Sequence, residues 1–440
     1  MKTRLVPISF PNRDDEFDRQ MEQLRRRFGG EAEFLPENPI GAPVPEGADA
    51  VVVPQLLGDA YRCVSELADL RVPIIIITSE FGTLSMWDWE IIEFLRQNGV
   101  RTLAPYSDEQ ARLILRAVRT RSRMRGGVFL MYQDNPGEGQ QASIFKRFWW
   151  WEESCRIELE QRLGVRVVYR SYRELGKRLG EIDDATAIAE WKRWNYPASG
   201  LAERALASAA KLYLAVRADL NEFGDDVLGV GINCLNESHF ADTTPCAAWS
   251  ILFEETGIMW ACEADIVSLA TKYMIYKSLE VPIVMTNIYP FLMGMAALKH
   301  EKIPSFPEIV DNPDDHVLVA HCGYFALMPR SFASNWTLRP SVLEIVHQES
   351  NMMDARFPTG PVTFAKLDPH FRKLFVTEGS LKGYVQYPDS DCRNGGVIEV
   401  SDGHALMRRA YSHHKCLMTG HTARDLQHVA DVFALDLDAV

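Results

Sequence analysis

Met259-Trp260-Ala261-Cys262-Glu263-Ala264-Asp265 is the stretch that decides the fold. An apolar run of strand character ends in two carboxylates, and the residues behind it, Ile266 to Leu279, carry a long helical pattern. A strand that hands over to a helix is the repeating unit of an open α/β sheet. Such sheets place ligands at the carboxyl ends of their strands. Glu263 therefore stands where chemistry is expected.

The same grammar extends to both sides. Val227 to Ile232, Val281 to Met285 and Val317 to Ala320 join Met259 to Ala261 as a set of strands linked by helices. Asn287 follows the run ending at Met285 and His321 follows the run ending at Ala320, so three successive strands end in Glu, Asn and His. Upstream, a second βα unit starts at Gly127-Val128-Phe129-Leu130-Met131. It continues through a helix containing Phe148-Trp149-Trp150-Trp151, a strand at Val165 to Tyr169 and a long helix from about Leu201. The first 125 residues alternate strands (Leu5 to Phe10, Ala50 to Val53, Ile74 to Thr78, Arg101 to Ala104) with helices, and their short Val/Ile runs suit buried parallel strands.

From about Trp336 the helical pattern gives way to short strands. Thr337 to Val346, Val362 to Leu367, Leu374 to Val376, Gly383 to Gln386 and Gly396 to Val400 read as a small barrel or sandwich, and only Ala423 to Phe433 returns to helix. The expected organisation is residues 1–125, 126–335 with most of the site, and 336–440 as the barrel-like part.

Composition narrows the function. The 440 residues are 47% hydrophobic and 24% charged, as in ordinary globular proteins, and carry a net charge of −13. That balance repels a phosphate backbone, and the one basic cluster, Arg116 to Arg125, reads as a solvated helix C-terminus, so nucleic acid is not an expected partner. Eight cysteines without a CxxC pair argue against a zinc ribbon or a disulfide framework. The N-terminus has no signal-peptide core and no apolar run reaches 18 residues, so no membrane partner and a cytoplasmic location are expected. The loop Asp134 to Gln141 follows a strand but lacks a third glycine and a GK[ST], which favours a plain turn over a phosphate cradle. The three tryptophans read as a helix packed on two sides.

Glu263, Asn287 and His321, with the later pair His413-His414, form an oxygen and imidazole set suited to a divalent ion, manganese first. Each taken singly reads as well as a cap or a hydrogen-bonded structural group. The convergence of several strand ends is what favours a metal.

In this part the chain resembles the L-fucose/L-arabinose isomerase superfamily, particularly its shorter fucose-isomerase-like members. The resemblance rests on Gly229 to Cys234, Thr244-Pro245-Cys246-Ala247, Glu255-Thr256-Gly257-Ile258, Ala261 to Asp265 and His321-Cys322-Gly323 in that order. It resumes at Pro358 to Thr363, at Glu378-Gly379 as a turn, and at Ser412-His413-His414. Arg13, Ser79 to Gly82 and Trp87-Asp88-Trp89 match more loosely. The resemblance implies an α/β protein with two to three Rossmann-like parallel-sheet units followed by a C-terminal β-barrel-like domain. It also implies a homo-oligomer with shared active sites, and interconversion of an open-chain aldose and ketose through an enediolate.

By the same resemblance Glu263 is a catalytic carboxylate or metal ligand, and His321 and His414 are ligands. Arg13, Glu80, Trp87 and Asn233 are assigned to the sugar pocket. Asn287 departs from the pattern, because it stands where the family carries a second catalytic carboxylate. An amide oxygen coordinates a cation but supplies neither charge nor an exchangeable proton. Three outcomes stay open: Glu263 as sole base, with water or Asp265 completing the proton transfer; a different enediolate reaction such as an epimerase or lyase; or sugar binding without turnover.

Overall fold

The computed structural model describes residues 2–56, 58–135, 147–290, 310–322, 325, 327–341, 349–386 and 395–440. Residues 136–141 of the glycine-containing loop, Gly323 and the end of the Thr337 to Val346 strand lie outside the described residues. The chain divides into two compact units. One holds Met1–Arg125 with Lys277–Glu280 and Arg424–Asp436, and the other holds Gly126–Tyr276, Val281–Ala423 and Leu437–Val440.

The first unit is built on a parallel sheet. Strands β1 (Thr3–Ser9), β2 (Ala32–Phe34), β3 (Asn38–Pro39), β4 (Ala50–Val53), β5 (Ile74–Ile76) and β6 (Thr102–Leu103) run in the order β2-β1-β4-β5-β6, with β3 also on β1. All four residues of β4 and all three of β5 are buried, as runs without alternation require. The helix Asp108–Met124 is capped by Ser107, whose Oγ accepts from the Gln110 N–H. Its arginines are less solvated than the sequence suggests. Arg116 donates to the Ser278 carbonyl, and burial pulls the Arg121 guanidinium down to about 10.

The second unit joins a parallel sheet to a closed barrel. Strands β7 (Val128–Tyr132), β8 (Arg166–Arg170), β9 (Val227–Ile232) and β10 (Met259–Ala261) pair in the order β10-β9-β7-β8, all parallel. Then come β11 (Ile283–Pro290), β12 (His316–Ala320), β13 (Asn335–Pro340), β14 (Asn351–Arg356), β15 (Gly360–Leu367), β16 (Lys373–Val385), β17 (Gly395–Val400), β18 (His414–Thr419) and β19 (Asp436–Ala439). The order β15-β18-β11-β12-β17-β16 closes through β15–β16 pairing into a six-stranded antiparallel barrel, with β19 added on β16. The expected combination of parallel α/β units with a C-terminal barrel is therefore present.

Four details differ from the sequence reading. Val281 to Met285 and Val317 to Ala320 are not further parallel strands; they lie in β11 and β12, which pair antiparallel inside the barrel. A short run buried on both faces looks the same in either setting. Residues 335–340 pair with 351–356 as a separate two-stranded ribbon. Glu378-Gly379 is no turn but lies within β16, where a Cβ on Gly379 would meet the Glu399 carbonyl oxygen at 2.6 Å. Trp149–Trp151 forms a single 3-10 turn ahead of the helix Glu153–Leu163. Three residues per turn fans the three indoles in different directions.

The helix Ile266–Leu279 links sheet and barrel. Its apolar residues from Ile266 to Ile275 are buried, and so are Ser268, Thr271 and Lys272. It approaches β9 closely, since a Cβ on Gly229 would meet the Leu269 side chain at 2.7 Å. Its polar groups meet the barrel: Thr271 Oγ1 accepts from the Leu367 N–H, and Ser268 and Asp265 accept from Lys366.

Candidate metal centre

The site begins at the end of β10. The register Ala261↔Gly231 sets Cys262 and Glu263 beside the end of β9. Glu263 and Ala264 then take left-handed backbone angles, φ +52° and +48°. For non-glycine residues that costs about 1–3 kcal/mol each, so surrounding contacts must fix the turn. The Ala264 N–H donates to Ile232 O at 3.0 Å, and the indole N–H groups of Trp150 and Trp151 both donate to Glu263 O, at 3.3 and 2.7 Å. The turn delivers Asp265 to the head of the next helix, where Oδ1 accepts from the N–H groups of Val267 and Ser268.

Asp265 has no free oxygen. Its Oδ2 accepts from Ser268 Oγ at 2.8 Å, Lys366 Nζ at 2.9 Å and His414 Nδ1 at 2.9 Å. Burial pushes its carboxyl up, but Lys366 and His414 outweigh burial and hold it well below the usual carboxylate range. An ionised Asp265 keeps the His414 proton on Nδ1. His414 Nε2 is thereby turned to Glu263, whose Oε2 lies 3.5 Å away. A carboxylate behind one nitrogen, with the other aimed at an acidic group, is the arrangement of a metal-ligating histidine and its orienting partner.

Both facing atoms are orphaned. Glu263 Oε2 and His414 Nε2 are buried without a hydrogen-bond partner, as are Asn287 Oδ1 and both ring nitrogens of His321. Buried polar atoms are seldom left so. Among the described residues, Glu263, His413 and His414 form the group whose ligand atoms all lie within 4.8 Å of one another. The donor set, one carboxylate oxygen and two imidazoles, fits a borderline divalent ion. Burial raises the Glu263 carboxyl, yet His414, with His413 and His321 behind it, brings the net value below the ordinary one. Burial lowers His414, but Glu263 and Asp265 raise it further than burial lowers it. His321 goes the other way, down to about 4, through burial and the charge of His414.

The remaining expected residues fall in different places. His321 follows β12 with its ring stacked 5.9 Å from that of His414 and stands just outside the tight triplet. Asn287 is paired in register with His414 on one side and Ala320 on the other. Its Nδ2 donates to Tyr289 Oη at 3.1 Å, which leaves Oδ1 for the site. Asn233 ends β9, fully buried, with Oδ1 accepting from the Asn236 N–H and Nδ2 unpartnered. Arg13, Glu80 and Trp87 belong to the first unit. There Arg13 pairs with Asp18 at 2.5 Å and Glu37 at 3.4 Å over the Phe17 ring, and Trp87 is 79% exposed.

No protein-family model matches the chain, and no curated protein matches it.

Sequence reasoning offered the pair His413-His414, with His414 singled out by the resemblance; both rings approach Glu263, His414 from a buried position and His413 from an exposed one. It missed Lys366, which sits in an apolar strand, and the two indoles. Their signal was a charge inside a buried run and a tryptophan triplet without helical spacing.

Proposed function

We propose that the protein is a metal-dependent isomerase of open-chain sugars that interconverts an aldose and a ketose. The observation that carries the reading is the orphaned pair Glu263 Oε2 and His414 Nε2, with His413 within 4.8 Å and Asp265 fixed behind His414. Glu263, His413 and His414, with His321 and Asn287 Oδ1 nearby, would hold a divalent ion, manganese as the first candidate, which would supply Lewis-acid stabilisation of the charge developing on the sugar oxygens.

The chain's own residues do the rest. Glu263 is ionised and faces the site, so it can take the proton from the carbon next to the carbonyl and return it to the adjacent carbon. Asp265 takes no part in this transfer, because each of its oxygens is already engaged and its carboxyl is held far below neutral pH. With an amide at 287, water is the natural partner for the hydroxyl protons. Asn233 Nδ2 offers an unused donor one strand away. Arg13, Glu80 and Trp87 enter this reading as sugar-pocket residues of a homo-oligomer with shared sites, and a cytoplasmic enzyme without nucleic-acid or membrane partners completes it. Among the described residues no helix is long and apolar enough to cross a membrane.

The test is aldose-to-ketose conversion across a sugar panel with Mn2+, read by NMR in deuterated water. Deuterium at the carbon next to the carbonyl in an isomerised product supports the reading. Products of carbon–carbon cleavage or epimerisation alone would move it to a lyase or epimerase. No turnover, with sugars still raising the melting temperature, would leave a sugar-binding relative.

A further inference from the structure

The tryptophan turn ahead of the helix Glu153–Leu163 touches both segments that carry Glu263, His413 and His414, and the proposed function gives it no task. Trp150 and Trp151 aim their indole N–H groups at one atom, the carbonyl oxygen of Glu263, at 3.3 and 2.7 Å. Trp149 aims its own at the Tyr411 carbonyl, at 3.3 Å, three residues before His414. The Trp150 ring lies 4.9 Å from the His414 ring, tilted by 30°, and Phe148 stacks on its other side at 4.4 Å. One turn of chain thus grips both segments that carry ligand atoms.

We propose that Trp151, with Trp150, is a positioning residue that holds the left-handed turn at Glu263 in the conformation that presents Oε2 to the metal. The inference rests on the metal reading of the site. A carbonyl oxygen has two lone pairs, and two indole donors occupy both. The backbone at Glu263 and Ala264 is left-handed without glycine, a costly conformation that the contacts around the turn must offset. The turn has two further links, from the Asp265 N–H to Cys262 O across it and from the Ala264 N–H to Ile232 O, both at 3.0 Å, and neither engages the Glu263 carbonyl. Trp151 makes the shorter of the two indole bonds, and its ring is half-buried where that of Trp150 is fully packed. Removing the N–H from Trp151 while keeping an aromatic ring isolates the clamp from the packing.

The experiment compares wild type, Trp151→Phe and Trp150→Phe by Mn2+ calorimetry and by the visible absorption of the Co2+ form. Trp151→Phe is expected to bind Mn2+ about 10–100-fold more weakly, the size usual for losing an outer partner of a ligand, and to shift the Co2+ bands, with the metal-free melting temperature little changed. Trp150→Phe, which loses the longer bond, is expected to fall between. Wild-type affinity and an unshifted Co2+ spectrum in Trp151→Phe would overturn the clamp while leaving the metal site standing. A wild-type chain that takes up neither ion would sink the metal reading and the clamp with it. Should Trp151→Phe fail to fold, Trp150→Phe decides by the same two measurements: wild-type affinity and spectrum there overturn the clamp.

Discussion

Lys366 Nζ lies 2.9 Å from Asp265 Oδ2, and neither side chain has any exposed surface. The pair bridges the barrel strand β15 to the turn that carries Glu263. Replacing Lys366 by Met leaves the Asp265 charge buried with one cationic partner fewer, a change that costs about 3–5 kcal/mol. Urea unfolding at neutral pH should show a loss of that size, and a loss below about 1 kcal/mol would mean that the bridge contributes little. The sign in acid follows from the direction of the shift. The Asp265 carboxyl is depressed in the folded state, so its contribution is present above the unfolded carboxylate value and is lost as pH falls toward the folded one. The deficit of Lys366→Met should therefore narrow in strong acid.

Glu263→Gln keeps the volume of the side chain and removes its charge and basicity. Turnover should fall by about 10²–10⁴-fold, with the far-ultraviolet circular dichroism unchanged. Retained turnover in this variant would place the base elsewhere.

Asn287 Oδ1 is buried without a partner, and its residue pairs in register with His414. Asn287→Asp puts an anionic oxygen there. Mn2+ affinity should rise by about tenfold, roughly 1.4 kcal/mol, in calorimetry. An affinity equal to wild type would remove residue 287 from the ligand shell.

On the proposed metal reading, a proton and a metal ion compete for His414 Nε2. The folded-state value of His414 is raised above 6.5, so the competing proton is held until the pH passes that raised value. Mn2+ affinity should weaken as pH falls through it and level off above it, with proton release visible in buffers of different ionisation enthalpy. A flat profile between pH 6 and 8 would contradict the placement of Nε2 in the shell.

Much of this site could be read from sequence, and what could not has a common cause. Met259–Ala261 and the helix Ile266–Leu279 were legible because an apolar run and a helical pattern meet at two acidic residues. Glu263 stood out as a carboxylate at the end of an apolar run, and His413-His414 as two adjacent imidazoles. Barrel membership of β11 was not, since its partners β12 and β18 lie far along the chain and its own residues are buried on both faces. The bond from Lys366 to Asp265 spans 101 residues, and a charge inside the buried run Val362–Leu367 signals a partner without saying which. The tryptophans were visible as residues but not as donors, because their acceptor is a backbone oxygen 112 or 113 positions away.

The barrel closes through strands drawn from both sides of the β13–β14 ribbon, and the contact from Asp265 to His414 spans 149 residues. Contacts of such separation form late, because loop entropy must be paid before they return anything. A newly made chain can therefore complete the parallel sheet around β10 while the imidazoles are still unmade or adrift. On the proposed metal reading, metal capture would clock the last stage of folding, and an ion supplied during refolding should accelerate only that final step.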